Sequence, residues 1–263
     1  KLFHYIPPQV WASRKWRIKG IKKYVDEVLC IFPFEIEMYQ KEGINVHYCG
    51  HPLIKQLPEK ADREQFFAKH GLDTTRPLVS IFPGSRTIEL RFLANTFIKS
   101  AKQLQKKHPE IQFCISHAPN LSDDIFDKYI NGTDFKVIKG ENQALLSISD
   151  SLILASGTVA LEAALYQIPM IIGYKGPWIL YLAYLLVRCI KKVSLPNIIT
   201  GEDIVPELIQ AKFNTENICY ETEKNLYNKE YRIGFIKALG MVKEKLSDKY
   251  SAEEVANEII KAL

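Results

Sequence analysis

Short apolar runs recur along this chain, with helical patterns between them. Val28 to Phe32, Leu78 to Phe82, Ile111 to Ser116, Phe135 to Ile138, Leu152 to Ala155 and Met170 to Gly173 read as buried strands. Between two of them, Leu90, Leu93, Phe97, Ala101 and Leu104 recur every three or four residues over Glu89 to Lys107, the spacing of a one-sided helix. Continuous apolar strands that alternate with helices make parallel βαβ units with both sheet faces covered. A further strand, Asn45 to Cys49, stops at Gly50-His51-Pro52, and the charged helical stretch Lys60 to His70 precedes a new strand series after Arg76-Pro77. The pattern therefore predicts an α/β chain in three parts. Residues 1–55 hold two or three strands, too few for a whole Rossmann-type lobe; residues 56–212 form a nearly complete one; residues 213–263 read as a helical tail. Within that tail, Ser251-x-x-Glu254 predicts a capping box.

Composition narrows the setting. A chain of 263 residues, 47% apolar, buries a substantial core. Its five cysteines are odd in number and form no C-x-x-C pair, so neither a disulfide framework nor a zinc site is expected, and a reducing cytoplasm suits them. The net charge of +5 favours anionic partners without choosing among them. No signal-peptide pattern opens the sequence at Lys1, which suggests a fragment. The run Trp178 to Val187 is about half the ~20 residues that a bilayer-spanning helix needs.

Two strand-to-helix junctions carry candidate chemistry. In LASGTVALEAAL, a buried strand runs into Ser156-Gly157-Thr158 and straight into a helix, where unpaired N–H groups and the helix dipole suit a phosphate. Glu162 lies one turn further on the same face, able to hold two sugar hydroxyls. The alternative is a plain N-cap followed by a solvated first-turn acid. In the second junction, Val79 to Phe82 leads into Pro83-Gly84-Ser85-Arg86, where glycine permits close approach and arginine forks onto phosphate oxygens, unless Arg86 is an ordinary surface residue. Two such junctions suggest a diphosphate. Neither G-x-x-x-x-G-K-[ST] nor G-x-G-x-x-G occurs, which argues against a P-loop ATPase or a nicotinamide-dependent dehydrogenase. A third stretch, Val193 to Ile199 and then Val205 to Gln210, reads as a strand broken at Pro196-Asn197 and a helix opened by Pro206. That helix would set Glu207 and Gln210 on one face, at a cleft edge or simply as capping and turn residues.

PGSR with a glutamate three residues on, LASGTVALEAAL followed by PMIIGY, and VSLPNIITGEDIVPELIQ together resemble the lipid-A-disaccharide synthase family. YIPPQVWA, FPFE and GHP near the start are similar to that family's pattern too, so the resemblance covers residues 1 to about 212 in order. It implies a GT-B architecture of two Rossmann-like lobes, the N-terminal one truncated here. The implied reaction condenses UDP-diacylglucosamine with diacylglucosamine 1-phosphate, with inversion, to a β(1→6) disaccharide and UDP. Arg86 and Asn197 match positions the family needs for activity. Ser85, Arg86, Ser156, Gly157 and Thr158 would take the diphosphate, Glu162 the ribose, and Glu207 and Gln210 would border the donor sugar. The general base is expected in the stretch preceding Tyr5 in the family. No cofactor or metal is expected, since no Asp-x-Asp pair occurs. Rival readings are another UDP-sugar GT-B enzyme, such as a UDP-N-acetylglucosamine epimerase, and a non-catalytic nucleotide-sugar binding module.

Acylated substrates imply work at an anionic membrane surface, peripherally at the cytoplasmic face of the inner membrane. Two stretches suit it: Trp11 to Lys23, with tryptophans among six basic residues, and Pro177 to Arg188, apolar and aromatic, then basic at Arg188, Lys191 and Lys192. A solvated helix face and a core helix are the alternatives. No RNA-binding signature accompanies the basic run, so no nucleic acid partner is expected. The tail would pack on its own chain or on a second copy in a homodimer.

Overall fold

Two parallel sheets carry the chain. The structure is a computed structural model that describes all residues except 14, 188–190, 247–248 and 263, and the side chains of residues 180, 183, 184 and 187 are likewise left undescribed. Arg14 and Arg188, counted above among the basic residues, thus lie outside the described residues. The first sheet is β1 (Phe3–Tyr5), β2 (Glu27–Cys30) and β3 (Val46–Tyr48), in that order. The second is built from β4 (Leu78–Phe82), β5 (Gln112–His117), β6 (Lys136–Lys139), β7 (Ser151–Ala155), β8 (Met170–Tyr174) and β9 (Glu207–Ile209). Its order is β6-β5-β4-β7-β8-β9, all pairs parallel.

Strand alternation divides the larger core. Leu78 and Phe82 of β4, Leu152 and Leu154 of β7, and Met170 and Ile172 of β8 face one buried cluster. Val79, Ile81, Ile153, Ala155 and Ile171 face the other, with Leu90, Leu93, Phe97, Ala101 and Leu104 of the helix Thr87–Lys107. That explains why the strands read as unbroken apolar runs. Gly173 makes room on this second face: a Cβ there would meet the rings of Phe213 at 2.4 Å and Phe97 at 2.9 Å, two rings that pack edge to face at 5.1 Å.

The strand order reverses between β4 and β7. β4 pairs with β5 on one side and β7 on the other, so the loops leaving β4 and β7 diverge to opposite faces. In open α/β sheets the crevice outside the strand C-termini at such a switch point is where ligands bind. Phe82 of β4 pairs with Leu154 of β7, which brings the two junctions singled out in the sequence side by side.

Three expectations are corrected. Residues 195–200 form a short helix with proline in its first turn rather than a strand broken at Pro196. Glu207 lies in β9 and not in a helix opened by Pro206; Ile172 N–H donates to the Pro206 carbonyl at 2.9 Å, so pairing with β8 overrides the proline signal. Ser251 does not cap the last helix, Ser251–Lys261, whose N-cap is Tyr250. Instead Ser251 Oγ bonds Tyr5 Oη at 2.8 Å, and the Glu254 carboxylate sits 3.2 Å from His47 Nε2. The helical tail, Thr215–Tyr227, Lys229–Leu246 and Ser251–Lys261, thus crosses back to the first sheet of its own chain.

Candidate functional site at the switch point

A cavity of about 560 Å³ opens at the C-terminal ends of β4 and β7. Ser85, Arg86, Ser156, Gly157, Thr158 and Glu162 all line it. Its size falls within the ~300–1,000 Å³ usual for small-molecule sites.

The β4 junction turns at Gly84, whose φ of +109° excludes most other residues; a Cβ there would also meet the Glu89 carboxylate at 2.3 Å. Glu89 Oε2 accepts hydrogen bonds from the N–H groups of Ser85 at 2.8 Å and Arg86 at 3.3 Å, and Oε1 lies 3.2 Å from Arg86 Nη1. The backbone N–H groups of this loop are therefore taken up internally. The loop presents its side chains to a ligand, above all the Arg86 guanidinium, which is 76% exposed.

The β7 junction is different. Ser156 N–H donates to the Gly173 carbonyl at 3.2 Å, and Thr158 stands at the N-cap of the helix Val159–Leu165 with no capping bond from its side chain. The N–H groups of Ala160 and Leu161 already bond back to the Gly157 and Thr158 carbonyls, at 3.3 and 2.9 Å. Half-buried Glu162 follows on the cavity wall, and desolvation holds its carboxyl above the usual range while a bond from Gln143 opposes the shift.

Asn197, Glu207 and Gln210 do not line this cavity. Asn197 is 1% exposed; its amide donates to the Val205 carbonyl and the Glu207 carboxylate, each at 2.9 Å, and accepts from Val205 N–H at 2.8 Å. Glu207 also accepts from the N–H groups of Val193 and Ser194 and from the Ser194 hydroxyl. The pair pins the segment that brings Lys192, Val193 and Leu195 to the cavity. Gln210, with φ of +51°, clamps Gly176 through both its N–H and its carbonyl, just ahead of the helix Trp178–Val187.

Other lining residues were not read as site residues in the sequence. Lys192, read there only as part of a basic cluster, places a second cation on the wall and pairs with Asp203. Ser116 at the end of β5 donates to Asn142 Oδ1 at 2.7 Å, and both line the cavity. Gln9, Trp11 and Ala12 enter from the loop after β1. Such positions lie far apart in sequence, and only the crossing of strands and loops assembles them. Among the described residues, no three His, Cys, Asp or Glu side chains cluster where they could hold a metal ion.

Two α/β units with a cavity at the switch point make this a GT-B-like chain, and solved structures agree. A UDP-GlcNAc 2-epimerase from Neisseria meningitidis, solved with UDP-GlcNAc, superposes with a TM-score of 0.63 at 14% identity, over 90% of this chain and 62% of that one. WaaG, a glycosyltransferase involved in lipopolysaccharide biosynthesis, superposes with a TM-score of 0.50 at 16% identity, over 89% of this chain and 62% of that one. At such identities the likeness concerns the fold alone.

Sequence relatives decide the family. The family LpxB, lipid-A-disaccharide synthetase, matches residues 1–260. Lipid-A-disaccharide synthase of Geobacter sulfurreducens is 36% identical over 100% of this chain and 69% of its own length; that of Trichlorobacter lovleyi is 37% identical over 94% of this chain and 65% of its own. The chain belongs to the lipid-A-disaccharide synthase family, and it spans about two-thirds of the length of these relatives.

Proposed function

We propose that the switch-point cavity is the donor site of a glycosyltransferase that builds the lipid A disaccharide. The donor is a UDP-linked diacylglucosamine and the acceptor a diacylglucosamine 1-phosphate. The acceptor 6-hydroxyl oxygen attacks the anomeric carbon from the face opposite the nucleotide, the bond from that carbon to the β-phosphate oxygen breaks, and UDP departs with the bond's electron pair. The product is a β(1→6) disaccharide with inverted configuration. The hydroxyl proton passes to a base, assigned to the acidic residue that precedes Tyr5 in the family's longer chains.

The observation that carries this reading is the convergence of Arg86, Lys192, the Ser156-Gly157-Thr158 turn and Glu162 on one cavity. Arg86 and Lys192 stabilise the charge that grows on departing UDP, and preorganised cations facing a developing charge are a large catalytic term. Glu162 holds the ribose hydroxyls. Asn197 and Glu207 serve as positioning residues that hold Lys192 and Val193 in place, and Gln210 holds the turn at Gly176. The helix Trp178–Val187, with Trp178, Ile179, Leu182 and Leu186 all exposed, docks on the membrane that carries both acylated substrates.

Calorimetric titration of UDP into the chain tests the donor site. Arg86→Ala and Glu162→Ala should each weaken binding by more than ~1 kcal/mol, the scale of a lost charge-assisted hydrogen bond. Binding that neither substitution alters would overturn the assignment of these residues.

A further inference from the structure

The cavity wall contributed by the first sheet depends on a buried carboxylate. Trp11 follows β1 in sequence, yet it is 8% exposed and belongs to the same apolar cluster as Leu146 and Leu195, with which it lines the cavity. Its indole N–H donates to Glu35 Oε1 at 3.0 Å. The other oxygen, Oε2, accepts from Phe32 N–H at 3.2 Å, so each oxygen of this 1% exposed side chain has its own donor. Around them Phe32 and Phe34 stack at 5.3 Å, Trp11 meets Phe34 edge on at 5.1 Å, and His51 lies against Phe32 at 5.1 Å.

Filling space does not require an acid here. A buried charge is costly and an apolar side chain of similar volume usually packs at least as well. What the carboxylate adds is direction: it fixes the rotation of an indole that stacking alone would leave free to turn. We propose that Glu35 is a positioning residue of the transfer reaction, holding the Trp11 indole, and with it the segment 9–12, in the wall of the donor cavity. This rests on the cavity being the donor site.

Ionisation gives the bond a signature. Desolvation pushes the Glu35 carboxyl up to about 7, against the bonds from Phe32 and Trp11, which favour the charged form. The titratable groups around it are Cys30 at the end of β2, pushed up to about 12, Tyr39 on its own helix, raised above its ordinary value, and His51, pushed down to about 4. All three stay neutral near pH 7, so Glu35 is the group whose charge changes there. A protonated carboxyl accepts less well, and the hold on Trp11 loosens as pH falls through about 7.

The test uses the full-length enzyme with Glu35→Gln, Trp11→Phe and the double substitution, each checked by circular dichroism and thermal melting. Transfer kcat/KM should fall about tenfold to a hundredfold in each single variant, the cost of a misplaced wall, and the double should be no worse than the worse single. In the unsubstituted enzyme kcat/KM should drop as pH falls through about 7; Glu35→Gln and Trp11→Phe should both lack that limb, because protonation of Glu35 acts through its bond to the indole. UDP affinity should stay within about twofold in both, because the nucleotide is read by the second sheet's loops. Additive losses, unchanged turnover in Trp11→Phe, or a pH limb that survives either single substitution would each overturn the proposal. Should Glu35→Gln not fold, the turnover of Trp11→Phe and the loss of its pH limb decide alone. Failure of UDP to bind the unsubstituted enzyme would instead overturn the donor-site reading.

Discussion

Glu89 does two things at the first turn of its helix, and they separate on substitution. Its carboxylate takes up the Ser85 and Arg86 N–H groups, which holds the loop, and it pairs with the Arg86 guanidinium, which aims a side chain that is otherwise 76% exposed. An exposed ion pair alone is worth little. The loop bonds resemble an N-terminal cap, whose loss typically costs about 1 kcal/mol. Glu89→Ala should therefore lower stability by about 1 kcal/mol in urea unfolding and also weaken UDP binding, and in a double-mutant cycle its effect on UDP should vanish once Arg86 is alanine. Retained coupling to UDP without Arg86 would mean that Glu89 acts on the ligand by another route. At this scale the sequence was informative where local rules apply: Gly84-Ser85-Arg86 and Ser156-Gly157-Thr158 follow apolar strands directly and are read from neighbours alone. Lys192 and Trp11 were misplaced because a basic run and a tryptophan look like surface features until the core they join is known; Trp11 is 8% exposed, whereas Trp16 in the same run is 61% exposed.

Among elements, the segment from Val193 to Gln210 shows how tertiary pairing defeats local signals. Pro206 reads as a helix start, yet at the edge of the sheet its missing N–H costs nothing while its carbonyl accepts from β8. Glu207 then turns back to gather the N–H groups of Val193 and Ser194, and Asn197 ties it to Val205. This buried network leaves little to spare. Asn197→Ala removes three bonds and strands the Val205 N–H, so unfolding free energy should drop by about 2 kcal/mol, and UDP affinity should fall with the displacement of Lys192. Asn197→Asp should cost more, because a carboxylate would face that of Glu207. Equal stability of all three chains in urea would show the network to be slack. The parallel strands, in contrast, were legible in advance, since a strand buried on both faces announces itself as an unbroken apolar run.

At the scale of the whole molecule, two parallel sheets in sequence order were readable from strand count and breakers, whereas whether the last helix packs on its own chain or on a second copy stayed open. Its contacts, Tyr5 with Ser251 and His47 with Glu254, join residues more than two hundred positions apart, and no local pattern marks them. The sequence also left the run Trp178 to Val187 undecided between a core helix and a membrane contact. The structure leaves Trp178, Ile179, Leu182 and Leu186 between 55% and 87% exposed, which removes packing in the chain's own core as their explanation. Among the described residues no helix is long and apolar enough to cross a membrane; the membrane contact proposed above would be an apolar helix of ten residues lying edgewise on a lipid interface. Burying one such side chain is worth roughly 1.5–3 kcal/mol, and each basic residue near an anionic surface adds roughly 1 kcal/mol. Ile179→Ser combined with Leu186→Ser should accordingly reduce co-sedimentation with vesicles containing anionic phospholipid by at least about tenfold, at 1.4 kcal/mol per tenfold. Neither residue lines the cavity, so UDP affinity should not change. Equal partitioning of the two chains would mean that this face does not insert, and the exposed basic run from Lys15 to Lys23 would then be the surface to test.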